Sequence, residues 1–271
     1  MEQLDIPQTD AALRELLKKT GRFIVEEFHR FSFDRVEYKG KNDPFTYVDV
    51  TSEKLLKDGC RHLIPGSGFV NEETDNEASE NGYTWIIDPV DGTSNFTHGV
   101  PYFCISLALQ KEDEVILGYV YEPLYENLFH AQKGNGAWLN GKRISVSNKH
   151  NLQNGLIATG FPYENFPWRN HYLEIVREIM DGAHGIRRMG SAALDLAYVA
   201  CGRFEGFFEL NLKPWDVAAG ALLVIEAGGE VTDFSGGKEY LYGRQIVATN
   251  GHIHPQMIGI IQSKYQFFPA I

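Results

Sequence analysis

The chain is poor in cysteine: Cys60, Cys104 and Cys201 are the only three in 271 residues. They are too few and too widely spaced for a disulfide framework or a zinc cluster, and read as reduced thiols of which some are buried. A basic excess is missing too. With 25 Lys and Arg against 36 Asp and Glu, the formal net charge is −11. That argues against general binding of nucleic acid or anionic membrane, because nothing attracts phosphate over the whole surface. No run approaches the ~20 apolar residues that span a bilayer. Met1-Glu2-Gln3-Leu4-Asp5 lacks a basic-then-apolar signal pattern, so a cytoplasmic protein is expected. No repeat, low-complexity segment or linker interrupts the chain. Length and a 43% hydrophobic content predict one unit over residues 1–271, with an N-terminal half to 150 and a C-terminal half from 151.

What is present centres on Trp85-Ile86-Ile87-Asp88-Pro89-Val90-Asp91-Gly92-Thr93-Ser94-Asn95. Trp85 to Ile87 reads as a buried strand that ends on a carboxylate. Pro89 cannot donate to a ladder, so pairing is expected to stop there. Gly92 permits a tight bend, and Thr93, Ser94 and Asn95 suit a helix start. Asp88 and Asp91 then project from one turn, where a hard divalent cation would offset their repulsion. The adjoining helix start offers N–H groups to an anion such as phosphate. A plain Asp-Pro-x-Asp-Gly turn is the structural alternative. Haloacid-dehalogenase-type phosphatases also carry paired Asp after a strand, but two residues apart rather than three, which disfavours that chemistry.

Around this stretch, Leu13, Leu17, Ile24 and Phe28 mark a first amphipathic helix with Asp10 as its cap. A second helix starts near Asp49, whose carboxylate suits an N-cap, and Pro65-Gly66 ends it. Gly68 to Asn71 is a short strand that ends on Glu72 and Glu73, within reach of Asp88; solvated surface acids are the plainer reading of that pair. Residues 103–147 alternate with period two and carry Gly134-Asn135-Gly136 and Asn140-Gly141 turns, so they read as an antiparallel meander. Further on come a strand at 156–159, an aromatic loop at 161–168, a helix at 171–180, and a small-residue helix whose start at Gly190-Ser191 either holds an anion or, more plainly, is a cap. A strand at 204–210 follows. Asp216 then sits in the first turn of a helix opened by Pro214, a favourable place for a carboxylate whatever its other role. Strands at 231–234 and 246–249 and a helix at 255–263 close the chain. His98 reads as a loop or packing residue.

Asp88-Pro89-Val90-Asp91-Gly92-Thr93-Ser94-Asn95-Phe96, with Trp215-Asp216-Val217-Ala218-Ala219-Gly220 and Gly190-Ser191-Ala192, resembles the inositol monophosphatase family over nearly the whole chain. These are magnesium-dependent, lithium-sensitive phosphomonoesterases. The resemblance implies an α/β fold, the layered αβαβα sandwich of the inositol monophosphatase and fructose-1,6-bisphosphatase type, usually as a homodimer. It implies Glu72, Asp88, Asp91 and Asp216 as ligands to two or three Mg²⁺, with Mn²⁺ as a substitute, together with the carbonyl of Val90. Asp49 and Thr93 match the pair that activates water, with Glu72 beside them in the catalytic set. Lys39 matches the active-site loop lysine, and Gly92 and Thr93 would meet the phosphate. Gly190, Ser191, Ala192, Glu209 and Asp216 match positions facing the alcohol half of a small phosphorylated polyol. Asn71 and Ser191 depart mildly from residues frequent in the family. Fructose 1,6-bisphosphate, histidinol phosphate, a 3′-phosphorylated nucleotide, or a non-catalytic scaffold remain the alternatives.

Overall fold

The computed structural model describes residues 5–32, 35–40, 43–162 and 168–265, with the backbone alone for 38–40 and 43–44. The chain begins with α1 (Ile6–Arg30), a ribbon of β1 (Glu37–Gly40) and β2 (Asp43–Phe45), and α2 (Tyr47–Leu63). β3 (Gly68–Asn71) and β4 (Tyr83–Asp91) lead to the short α3 (Thr93–Thr97). The expected meander follows as β5 (Cys104–Lys111), β6 (Glu114–Glu122), β7 (Asn127–Gln132), β8 (Gly136–Leu139) and β9 (Lys142–Ile144). The second half carries β10 (Leu156–Thr159), α4 (Arg169–Gly182), β11 (Gly185–Arg187), α5 (Ala192–Ala200) and β12 (Gly206–Leu210). It ends with α6 (Pro214–Glu226), β13 (Glu230–Thr232), β14 (Gln245–Thr249) and α7 (His254–Tyr265).

Strands β3 to β9 form a seven-stranded sheet in chain order, parallel only between β3 and β4. The second sheet has the order β11-β10-β12-β14-β13. Side-chain alternation sets the layers. From β4, Trp85 and Ile87 join Leu13, Leu17 and Ile24 of α1 and Leu56 of α2. Ile86 points the other way, among Leu196 and Ala197 of α5 and Val217 and Ala218 of α6. The second sheet repeats the pattern: Phe207, Ile246 and Ala248 face the α5–α6 core, while Phe208 and Val247 face Ile175 and Ile179 of α4 and Met257 of α7. Helix pair, sheet, helix pair, sheet, helix pair is therefore the order of layers, as expected.

Small residues let the central layer come close. Along β5, Cys104 and Ala108 face α5 and α6, while Ile105, Leu107 and Leu109 face α1 and α2. A Cβ on Gly118 of β6 would lie 2.9 Å from the Ala219 carbonyl of α6, and one on Gly220 would lie 2.5 Å from Leu196 of α5. These contacts fix α6, and with it Asp216, against the sheet that carries Asp88.

Three local expectations are corrected. Asp10 does not cap α1: Asp5 does, accepting from the Gln8 N–H at 3.0 Å, while Asp10 lies inside the helix and bonds Arg14 and Tyr119. Asp49 is not the N-cap of α2. Thr46 holds that place and Asp49 is the third helical residue of a capping box. Pairing does not stop at Pro89. Asp88 faces Ser106 and Asp91 faces Cys104, so Pro89 and Val90 oppose Ile105 alone. A bulge absorbs the residue that cannot donate, and the ladder resumes. Strand β11 lacks any clear signal in its sequence, and residues 163–167 of the aromatic loop lie outside the described residues.

Candidate active site

The bulge decides which way the two central acids point. On a regular strand, residues three apart face opposite sides of the sheet. One extra residue between Asp88 and Asp91 restores them to the same side. The Val90 N–H donates to Asp88 Oδ1 at 3.0 Å and holds that carboxylate across the bulge. Gly92 then turns the chain with a φ of 103°, in the left-handed region, and α3 begins at Thr93.

Asp216 arrives from the other half. It is the third residue of α6, and its Oδ2 accepts the Lys213 N–H at 2.6 Å. Ser106, the partner of Asp88 across the β4–β5 ladder, donates its hydroxyl to the Trp215 carbonyl at 2.8 Å. This bond pins the start of α6 to the strand beside Asp88. Asp88, Asp91 and Asp216 each bring a carboxylate oxygen within 4.8 Å of the others. Glu72 follows directly on β3, whose Asn71 pairs with Ile87, and so lies next to Asp88. Its carboxylate is close enough to bond Asp88 and to act on its charge.

So many acids raise one another's pKa values. Burial pushes Asp88 well above the usual carboxylate range, and the charges of Glu72, Asp91 and Asp216 push it further. Burial also raises Asp91, to about 6. Hydrogen bonds from Ser191 and from the N–H groups of Ala193 and Ala192, with the charge of Arg188, limit that rise. The bonds from Ser191 Oγ and the Ala193 N–H are both 2.7 Å long and both fall on Oδ2. Ser191 is the N-cap of α5, so Asp91 joins the first strand motif to the second-half helix.

Asp49 is fully buried, and its two oxygens do different things. Oδ2 accepts from the backbone and hydroxyl of Thr46 at 2.8 and 2.6 Å, while Oδ1 faces the Thr93 hydroxyl at 3.0 Å. The Val90 carbonyl lies at the same distance from that hydroxyl. Burial raises the Asp49 pKa, against the lowering effect of the Thr46 and Thr93 bonds.

On the remaining side stand Gly190, Ser191, Ala192 and Glu209. Burial, then the nearby charge of Asp195, raises Glu209 well above its usual range, and Arg188 opposes the rise. A Cβ on Gly160 would fall 2.0 Å from the Glu209 carboxylate, so that glycine leaves the room the carboxylate occupies. Lys39 lies on β1, and its side chain is outside the described residues.

Apart from Lys39, the residues expected from the sequence gather here, although Glu72 flanks the tight trio rather than joining it. Sequence reasoning missed Ser106, Asn95, Gly160, Arg188 and Asp195. Asn95 stands within the first motif, and its Nδ2 donates to the carbonyls of Tyr102 at 2.7 Å and Met189 at 2.9 Å. Asp195 is buried and accepts from the Tyr102 hydroxyl at 2.8 Å. His98 is exposed, at the end of α3.

The arrangement suits a cation. Clustered, mostly buried carboxylates without an equal positive charge are costly, and an all-oxygen donor set fits a hard divalent ion such as Mg²⁺.

Comparison with known proteins shows what the chain is similar to. A model of the inositol monophosphatase family matches residues 5–266. A protein named inositol-1-monophosphatase, from Rhizobium meliloti (strain 1021), is 40% identical over 245 residues, covering 90% of this chain and 92% of its own. A protein named Nus factor SuhB, from Escherichia coli (strain K12), is 40% identical over 253 residues, covering 93% and 94%. Among solved structures, the extragenic suppressor protein suhB of Bartonella henselae superposes with a TM-score of 0.90 at 38% identity, over 94% of this chain and 98% of that one.

Proposed function

The chain belongs to the inositol monophosphatase family, and on that premise we propose that it is a Mg²⁺-dependent phosphomonoesterase acting on inositol monophosphate or a similar small polyol phosphate. The observation that carries the proposal is the convergence of Asp88, Asp91 and Asp216 within 4.8 Å, from residues far apart along the chain. With Glu72 and the Val90 carbonyl, these residues would hold two or three Mg²⁺, or Mn²⁺ in their place. Bound there, the cations supply charge neutralisation and Lewis acidity for a phosphate monoester that itself carries about two negative charges.

The chain's own groups then orient and deprotonate water. Thr93 Oγ1 gives its proton toward Asp49 Oδ1, which leaves oxygen lone pairs to receive a proton from water. Asp49, raised by burial, takes up a proton more readily than an ordinary Asp. The first N–H groups of α3, beyond Gly92, lack helical partners of their own and face the phosphoryl oxygens. No Ser, Cys or His nucleophile is needed, and water attacks in line. The alcohol half lies against Gly190, Ser191, Ala192, Glu209 and Asp216, with the half-buried Glu209 carboxylate as hydroxyl acceptor.

Phosphate release from a panel of polyol, sugar and nucleotide monophosphates, with and without Mg²⁺, tests the proposal in wild type and Asp91→Asn. Mg²⁺-dependent release that falls by orders of magnitude in the variant is expected. The Nus factor name of one relative favours a second reading, a role apart from catalysis. A chain that binds Mg²⁺ yet releases phosphate no faster than Asp91→Asn would select it.

A further inference from the structure

Helix α2 brings more to the site than Asp49. Asp49, Glu53, Lys57 and Arg61 recur every four residues and so form one row along the helix. From Glu53 onward the row faces the segment that follows β3, where Glu72 lies. Glu53 has no exposed surface. Its Oε2 accepts the backbone N–H of Glu73 at 2.8 Å, and its Oε1 accepts the Thr74 hydroxyl at 2.5 Å. Thr74 Oγ1 in turn accepts from Lys57 Nζ at 2.9 Å and from Asn71 Nδ2 at 3.0 Å. Lys57 also pairs with Glu77 at 2.8 Å, and Arg61 with the same Glu77 at 2.7 Å.

A buried carboxylate with both oxygens engaged is a rigid anchor, because every alternative leaves a charge in apolar surroundings without partners. This anchor grips the peptide directly after Glu72. Glu72 thus lies between Asn71, the last β3 residue registered with β4, and the Glu73–Thr74 pair that Glu53 holds. One helical turn back along the row, Asp49 faces Thr93. The same rigid helix therefore indexes both Glu72 and the Asp49–Thr93 pair.

We infer that Glu53 is a positioning residue for the metal site: it fixes the Glu72 segment relative to Asp88 and to the Asp49–Thr93 pair. The inference rests on the proposed reading of Glu72 as a Mg²⁺ ligand. Residues that orient ligands in this way typically alter metal affinity by roughly 10-fold to 100-fold when removed.

The test is calorimetric titration of Mg²⁺ into the substrate-free chain, wild type against Glu53→Ala, Glu53→Gln and Thr74→Val, with circular dichroism to verify folding. Glu53→Ala is expected to weaken Mg²⁺ binding by about tenfold or more. Glu53→Gln keeps an oxygen for the Glu73 N–H but no second acceptor for Thr74, and is expected between wild type and the Ala variant. Thr74→Val, which removes the donor to Oε1 and leaves Glu53 in place, shifts affinity in the same direction. Wild-type affinity in folded Glu53→Ala overturns the inference; should that variant not fold, wild-type affinity in Thr74→Val does so. A wild-type chain that takes up no Mg²⁺ overturns the metal reading and this inference together, whereas wild-type uptake with unaltered variants overturns this inference alone.

Discussion

Replacing Asn95 with Asp changes one NH₂ group to an oxygen and leaves the shape of the side chain intact. In the native chain that NH₂ donates to the Tyr102 carbonyl at 2.7 Å and to the Met189 carbonyl at 2.9 Å, which ties α3 to the segment leading into Gly190 and Ser191. Two lost bonds at about 0.5–1.5 kcal/mol each amount to about 1–3 kcal/mol. The carboxylate would also face two carbonyl oxygens and repel them, so the segment must move. At about 2 °C per kcal/mol for a chain of this length, the unfolding midpoint falls by roughly 2–6 °C. Asn95→Ala loses the bonds without the repulsion, and its effect is smaller. The kinetic consequence is selective. Ser191 keeps its own bond to Asp91, so hydrolysis of an aryl phosphate, which offers no hydroxyls, persists. With about 1.4 kcal/mol lost on the alcohol side, KM for inositol monophosphate rises about tenfold. Thermal melts and kinetics on both substrates check this together. Wild-type melting with wild-type KM, or equal losses on both substrates, would refute the claim that Asn95 positions the alcohol side.

Ser106→Ala removes the 2.8 Å bond to the Trp215 carbonyl; the orphaned acceptor costs about 1–3 kcal/mol, and Mg²⁺ affinity falls because Asp216 loses its tie to β5. An unaltered melting point and Mg²⁺ isotherm would contradict this. Gly160→Ala places a Cβ where the Glu209 carboxylate now sits, so KM for a polyol phosphate is expected to rise about tenfold through a lost charged hydrogen bond, with aryl phosphate turnover retained. Unaltered polyol kinetics would show that Glu209 does not meet the substrate. In the metal-free chain Asp91 titrates at about 6 rather than its ordinary 3.8. The stability from its protonation is therefore complete below about pH 4 and lost as pH rises through about 6. Since Mg²⁺ must displace that proton, the gain in melting temperature on adding Mg²⁺ should shrink as pH falls through about 6. A gain that stayed constant from about pH 7.5 to pH 5 would exclude Asp91 as a ligand.

The acidic cluster was legible in the sequence because it depends on residue type at short range. Asp88, Asp91 and Asp216 follow apolar or capping signals that a local reading recovers, whereas the layered order came from the family resemblance, which the meander and the alternating second half merely suit. What remained hidden depends on partners distant along the chain. Pro89 reads as a strand stop, yet a bulge against Ile105 carries the ladder onward and turns Asp91 to the side of Asp88. Ser106 reads as one more small residue of an alternating strand, and only the approach of α6 gives its hydroxyl the Trp215 carbonyl. Asp49 reads as a cap, and it does belong to a capping box, but the Thr93 bond comes from 44 residues away. Glu53 was invisible because the amphipathic reading of α2 follows its apolar face, whereas Glu53, Lys57 and Arg61 form a polar row against the segment after β3.

The central claim is that Asp88, Asp91 and Asp216, with Glu72, cage divalent cations. A crystal grown with Mn²⁺ and inorganic phosphate, measured for anomalous scattering, addresses it directly. The account predicts peaks within roughly 2–2.5 Å of oxygens from all three aspartates, with phosphate beside the start of α3. Mn²⁺ bound elsewhere, with these carboxylates left to water alone, would contradict it.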